Sequence, residues 1–391
     1  MTKEDLLHIA RQIQPLDYKI EKAILKHWDS IGKPLEGLGL FEKIIARIGA
    51  IQYCENPKLN SRKVLLFFSD NGVTESGVSQ SDISVTHKVG IATSNHNSTA
   101  YLMAQKVGID LFPIDIGMKG DIISGFYTRR VSSGTQNIAT TSAMTMEQCL
   151  QAIQIGYELV FQLNDEPNST QFSANNLITN ASEFANENSP IQATFPDIIL
   201  LGEMGVANTT TATAVACAIL GKDPLQFTGR GAGLSDEMLK HKIQVIKTAI
   251  DRHFSNSCTT LTDPDFTISI LASLGGYDIA GMVGSILACA QNRIPIVLDG
   301  LITLTAALVA DRLFPGLCSH MIASHRPREK MGRLILSTLH LHAPISANLA
   351  LGESTGAILL LPMLDVCLEL FNKGITFNTL GMDAYTRYNK H

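Results

Sequence analysis

The chain has 391 residues, of which 45% are hydrophobic and 17% charged, with a formal net charge of −5 and a pI near 6.1. That composition describes a globular chain able to bury one large core, or one large domain with a smaller appendage, and excludes a disordered one. It leaves no electrostatic footprint for nucleic acid or anionic lipid, and Pro, Gly or charges interrupt every apolar run that would otherwise reach a membrane span.

The first residues, "MTKEDLLHIARQIQPLDYKI", place acids and bases at helical spacing rather than in the pattern of a signal peptide, so a cytoplasmic location is expected. Residues 1 to about 50 read as helices, around "LLHIARQI" and "LFEKIIARIGAI", with the Gly/Pro turn "GKPLEGLGL" at 32–40 between them. From about residue 63 the pattern changes to short apolar runs, each followed by a turn and a helical segment: "VLLFF", "LFPIDIG", "DIILLGE" and "IPIVLDG". That alternation predicts an α/β fold with a mainly parallel sheet flanked by helices. Residues 162–190, rich in Asn, Ser and Glu, read as a surface insertion. Helix returns after about residue 363. The two chain ends, 1–60 and 364–391, are therefore expected to form a small helical domain beside a large one of residues 61–363. Seven cysteines stand without a CxxC pair, as free thiols in a reducing compartment would. Eleven histidines form no HExxH or Cys/His pairing, so neither a metal nor a cofactor is expected.

Several predicted strands end on an acid: Asp70, Asp115, Glu203 and Asp299. Ligands of open α/β sheets bind beyond the carboxyl ends of the strands, so the set points to function, although Asp before Gly is also a common turn. In "DIILLGEMGVANTTTATAVACAIL" (197–220) a strand runs through Gly202, Glu203, Met204 and Gly205 into an Ala-rich helix that Asn208 or Thr209 can cap. Free N–H groups at such a helix start suit a phosphate, and a well-capped core helix reads the same way. "FTGRGAGLSDEMLKHKIQVI" (227–246) repeats the theme, with Gly229, Gly231 and Gly233 ahead of a helix capped by Ser235 or Asp236. Lys242 lies about two turns in, where it either reaches an anion or sits on a solvated face. "IASHRPREKMG" (322–332) sets His325, Arg326 and Arg328 after a strand-like run. Finally, "NLALGESTGAILLLP" (348–362) isolates Glu353 at a helix start, with Ser354 or Thr355 as cap. Burial raises a carboxyl pKa and a helix dipole lowers it, and the balance leaves a usable base.

Together these stretches resemble the nicotinate-nucleotide:dimethylbenzimidazole phosphoribosyltransferase family. The resemblance runs from about residue 30 to 380 through "SDNGV" and "SGVS" at 69–79, "GTQNIA" at 134–139 and "GEMGVANTT" at 202–210. It continues in "GRGAGLSDE" at 229–237, "VLDGLIT" at 297–303 and "LGESTGA" at 351–357. It implies a Rossmann-like sheet, a small helical domain from both chain ends, and a homodimer, with a heterodimer of paralogues as the alternative. The reaction implied moves the ribose phosphate of nicotinate mononucleotide to a benzimidazole-like base with inversion, for cobamide biosynthesis. By the same resemblance Glu353 is the general base, and Glu203, Gly205, Asn208, Thr209, Lys242, Asp299 and Gly300 bind the nucleotide. Ser81 and Leu351 then border the acceptor base.

This chain departs from the family pattern at Asn71, Gln136, Ala207, Pro327, Ala350 and Ser354. The first reading is an enzyme acting on a benzimidazole, a purine or a phenol. The second is a non-catalytic partner subunit or nucleotide-binding paralogue with the same fold. A nicotinamide-dependent dehydrogenase is disfavoured, because the chain carries no GxGxxG fingerprint.

Overall fold

A computed structural model describes residues 1–163, 195–254 and 263–388. The insertion expected at 162–190 lies almost wholly outside these described residues. The strands are β1 (Arg62–Ser69), β2 (Asp110–Gly117), β3 (Tyr127–Thr128), β4 (Ile198–Met204), β5 (Ile296–Leu298) and β6 (Met321–Ala323). They form one sheet in the order β3-β2-β1-β4-β5-β6, every pair parallel. This is the doubly wound order, and the chain reverses its direction of travel across the sheet between β1 and β4.

The helices are, in chain order, α1 (Lys3–Gln12), α2 (Tyr18–Ser30), α3 (Leu40–Gln52), α4 (Ser84–Ser94), α5 (Thr99–Lys106), α6 (Met146–Phe161) and α7 (Asn208–Leu220). Then follow α8 (Pro224–Phe227), α9 (Asp236–Phe254), α10 (Pro264–Leu274) and α11 (Tyr277–Gln291). The remainder are α12 (Leu301–Leu313), α13 (Lys330–Thr338), α14 (Thr355–Lys373) and α15 (Phe377–Leu380). Alternation along each strand sends side chains to two different cores. Leu65, Phe67, Ile199, Leu201 and Ile296 pack with α6, α7, α10, α11 and α12. Val64, Leu66, Phe68, Ile198 and Leu200 pack with α2, α3, α5 and α14.

α2 and the C-terminal end of the chain meet on this second face, whereas α1 lies on the first, with Leu6 in that core and α11 as its neighbour. Trp28 of α2, with no exposed surface, packs against Phe371 of α14, and Arg387 pairs with Asp29 and Glu36. Their apolar side chains run on without a break into those of the sheet. One helix bears on the expected absence of a membrane span. Despite Pro362, α14 is 19 residues long and apolar enough, by length and composition alone, to cross a bilayer. Half of it is buried, against β4, α3 and α5, which is what a core helix shows.

Candidate active site

Where β1 and β4 part, their carboxyl ends and those of β5 and β6 open into a cleft with a cavity volume of about 220 Å³. Two helix starts form opposite walls. On one, β4 delivers Glu203, Met204 and Gly205 to the first turn of α7, Asn208 and Thr209. On the other, residues 349–353 lead into α14 and bring Leu351, Gly352 and Glu353 to the cleft. Ser81 and Val85, ahead of and in α4, close a third side, and Gly300 at the start of α12 a fourth.

Neither helix is capped as its sequence suggests. The cap position of α7 is Ala207 and that of α14 is Ser354, both left-handed, at φ 67° and 66°, and neither gives a side-chain hydrogen bond. Asn208 and Thr209 already lie inside the helix. The α14 start is served instead by a distant carboxylate: Asp299 Oδ1 accepts from Gly356 N at 2.7 Å and Ala357 N at 3.1 Å. Asp299 therefore sits behind the cleft wall, and among the residues expected as general base, nucleotide contacts or acceptor contacts it alone does not line the cavity. Close packing depends on two glycines. A Cβ on Gly202 would stand 2.7 Å from Ser354 Cβ, and one on Gly356 would stand 2.1 Å from His325 Nδ1.

Glu203 and Glu353 differ in their engagement. Glu203 Oε2 accepts a short hydrogen bond from Asn208 Nδ2, whose amide also reaches Asp278 Oδ2 at 3.4 Å. Burial first, and then the charge of Asp278, push the Glu203 carboxyl well above its ordinary range. Glu353 Oε2, by contrast, is enclosed and has no hydrogen-bond partner. Burial raises its pKa, against a backbone hydrogen bond at Ala100 that lowers it. Burial also lifts Asp278 to about 6 and Asp299 to about 7.

Lys242 decides between its two readings. It is 1% exposed, its Nζ donates to Thr209 Oγ1 at 2.8 Å, and no carboxylate among the described residues forms an ion pair with it. Burial lowers its pKa to about 8, against the attraction of Glu329. A buried cation at the mouth of a helix start, backed by the Gly229–Gly233 loop, is equipped for an anion.

His325 was legible only as a loop residue. It lines the cleft, its Nδ1 lies 3.0 Å from Ser324 Oγ, and burial lowers its pKa to about 4, so the imidazole is neutral. The strand-end acids divide. Asp115 is locked in a buried pair with Arg130, and Asp70 accepts from Lys119 N at 2.7 Å. Both serve loops outside the cavity, which corrects the expectation that the four acids act as a set.

The phosphoribosyltransferase family model (DBI_PRT) matches residues 13–180 and 173–381. A nicotinate-nucleotide–dimethylbenzimidazole phosphoribosyltransferase of Chloroflexus aurantiacus is 32% identical over 373 residues, which is 95% of this chain and 96% of that one. The enzyme of the same name from Clostridium acetobutylicum is 32% identical over 379 residues, covering 97% and 98%. The crystal structure of such a phosphoribosyltransferase from Thermus thermophilus superposes with a TM-score of 0.78 at 26% identity, covering 94% of this chain and 99% of that one.

Proposed function

The chain belongs to this phosphoribosyltransferase family, and from that premise we propose that it transfers the ribose phosphate of nicotinate mononucleotide to a benzimidazole-like base. The enzyme is a pentosyltransferase of the nicotinate-nucleotide type, and its product serves cobamide synthesis.

The observation that carries the mechanism is the enclosed, unpartnered Oε2 of Glu353 on the cleft wall. The acceptor's N–H proton passes to that oxygen as its other ring nitrogen attacks C1′ of the ribose. The bond from C1′ to the pyridinium nitrogen breaks, its electron pair stays on the nitrogen, and nicotinate departs with a neutral ring and its carboxylate charge. Attack from the opposite face inverts the anomeric centre. A base raised toward neutrality by burial suits this proton transfer. Lys242, Thr209 and the α7 start hold the phosphate, and Glu203 stands by the sugar and the pyridinium it still carries. Leu351, Leu349, Val85 and Met204 give the acceptor apolar walls, with Ser81 as a polar contact.

The protein works in the cytoplasm as a homodimer. The exposed apolar stripe Leu359, Met363, Val366 and Leu370 along α14 supports a self-interface. The helices α2, α3, α15 and the end of α14 form the small domain of each subunit, with α1 packed against α11 on the other face of the sheet.

The test is nicotinate release from nicotinate mononucleotide with dimethylbenzimidazole, other benzimidazoles, adenine or phenol. Acceptor-dependent release with at least one of them is expected. Release with none would sink the catalytic reading in favour of a nucleotide-binding subunit.

A further inference from the structure

We propose that Asp278, acting through the side-chain amide of Asn208, is a positioning residue that orients the Glu203 carboxylate toward the donor ribotide. The inference rests on the reading of Glu203 as a nucleotide-binding group.

Asn208 is the first residue of α7, and its Nδ2 carries two protons. One goes to Glu203 Oε2 and the other faces Asp278 Oδ2 at 3.4 Å. Asp278, near the start of α11, has no exposed surface, and its Oδ1 accepts from Ile279 N at 2.9 Å. The backbone thus fixes the carboxyl that in turn fixes the amide. Gly276 keeps the space beside it free, since a Cβ there would stand 2.4 Å from Asp278 Oδ1.

The consequence is directional. A lone asparagine on a cleft wall turns either its oxygen or its nitrogen toward a neighbour. While they are ionised, two carboxyls on one side of the amide favour the nitrogen-facing rotamer, because the flipped one sets a carbonyl oxygen against two negative groups. Asn208 then presents a donor to Glu203, and Asp278 reinforces that orientation.

The same contacts couple the charges. The ionisable groups facing Glu203 are Asp278 from α11, Asp299 from the end of β5 and Glu353 ahead of α14. Lys242 of α9 and His325 after β6 line the same cleft. Asp278 opposes ionisation of Glu203 and the Asn208 donor favours it. The donor's pyridinium is cationic until its bond to C1′ breaks, so an ionised Glu203 favours the bound donor.

The two arms of the relay pull the acidic limb of the pH profile in opposite directions. With nicotinate mononucleotide and dimethylbenzimidazole, kcat/KM for nicotinate release is measured against pH for wild type, Asp278→Asn, Asn208→Ala and Glu203→Gln. Asp278→Asn, nearly isosteric, is expected to move the limb to lower pH. Asn208→Ala is expected to move it to higher pH and raise the donor KM about tenfold. Thermal melts confirm folding, and Asn208→Ser replaces the alanine variant if that one melts below the assay temperature. Limbs that stay put, or move the same way in both variants, while Glu203→Gln changes the profile, overturn the relay alone. A Glu203→Gln enzyme with wild-type KM and profile overturns the role of Glu203 and the relay with it.

Discussion

The two glutamates of the cleft each precede the left-handed cap residue of a helix, Glu353 by one position and Glu203 by four, yet their surroundings are opposite. Glu203 ends a strand, and its carboxyl is tied to Asn208 within reach of the Asp278, Asp299 and Glu353 charges. Glu353 lies on a loop at φ 57°, with an enclosed oxygen that has no hydrogen-bond partner. A buried acceptor left unpaired costs about 1–3 kcal/mol, and a fold keeps such a cost mainly where an arriving group removes it. In the proposed mechanism the difference separates a carboxylate that holds from one that takes a proton.

Substitutions sharpen that contrast. The largest effect is expected at Glu353→Gln, with kcat reduced roughly 10²–10⁴-fold and the donor KM nearly unchanged, as for loss of a general base. Glu203→Gln is expected to act mainly on the donor KM, and equal kcat losses in both variants would erase the distinction. Lys242→Met removes a buried charged donor, so the donor KM should rise about 10–100-fold, consistent with roughly 1.5–3 kcal/mol for a charged hydrogen bond. Phosphate-free nicotinate riboside should bind both enzymes alike.

Asp299 provides a pH test of the α14 wall. Its folded pKa, near 7, lies above the ordinary carboxylate value of 3.8. The native state therefore binds more protons between those values, and the contribution of Asp299 to stability falls as pH rises from about 4 to 7. Asp299→Asn, whose oxygen still accepts from the helix, should gain stability over wild type across that window, by an amount on the order of 1–3 kcal/mol. Melting curves at pH 4 and pH 7.5 check the sign. The smallest effects fall at the two left-handed caps. Ala207→Gly and Ser354→Gly should each stabilise by about 0.5–1 kcal/mol, because glycine enters that region without the Cβ penalty. Chemical denaturation of the two variants measures this.

The central strands were legible in the sequence because β1 and β4 hold continuous apolar runs between turn signals, as strands buried on both faces must, and β2, broken by Pro113 and Asp115, keeps an apolar run that is buried in its second half. The two-residue β3 was not, since so few residues carry no period, and the three-residue β6 showed only as the strand-like run ahead of His325. Of the candidate site, Glu353 and the GEMGVANTT turn stood out as polar residues set among small ones. Lys242 did not reveal its burial, because helical spacing alone does not say which face a neighbouring loop covers. The capping of α14 by Asp299 joins residues more than fifty positions apart, beyond any local signal, and Ser354 looked like the cap that Asp299 makes unnecessary. Asp278 went unnoticed for the same reason: its partner Asn208 lies on another helix, 70 positions away in the chain.

The most direct measurement is the ratio of wild-type to Glu353→Gln kcat across benzimidazoles of graded N–H acidity, with Glu203→Gln run beside it. If Glu353 takes the acceptor's proton, the Glu353→Gln defect shrinks steadily as the acceptor becomes more acidic, while the Glu203→Gln defect stays constant. A Glu353→Gln defect that is the same for every acceptor would contradict the assignment of Glu353 as the general base.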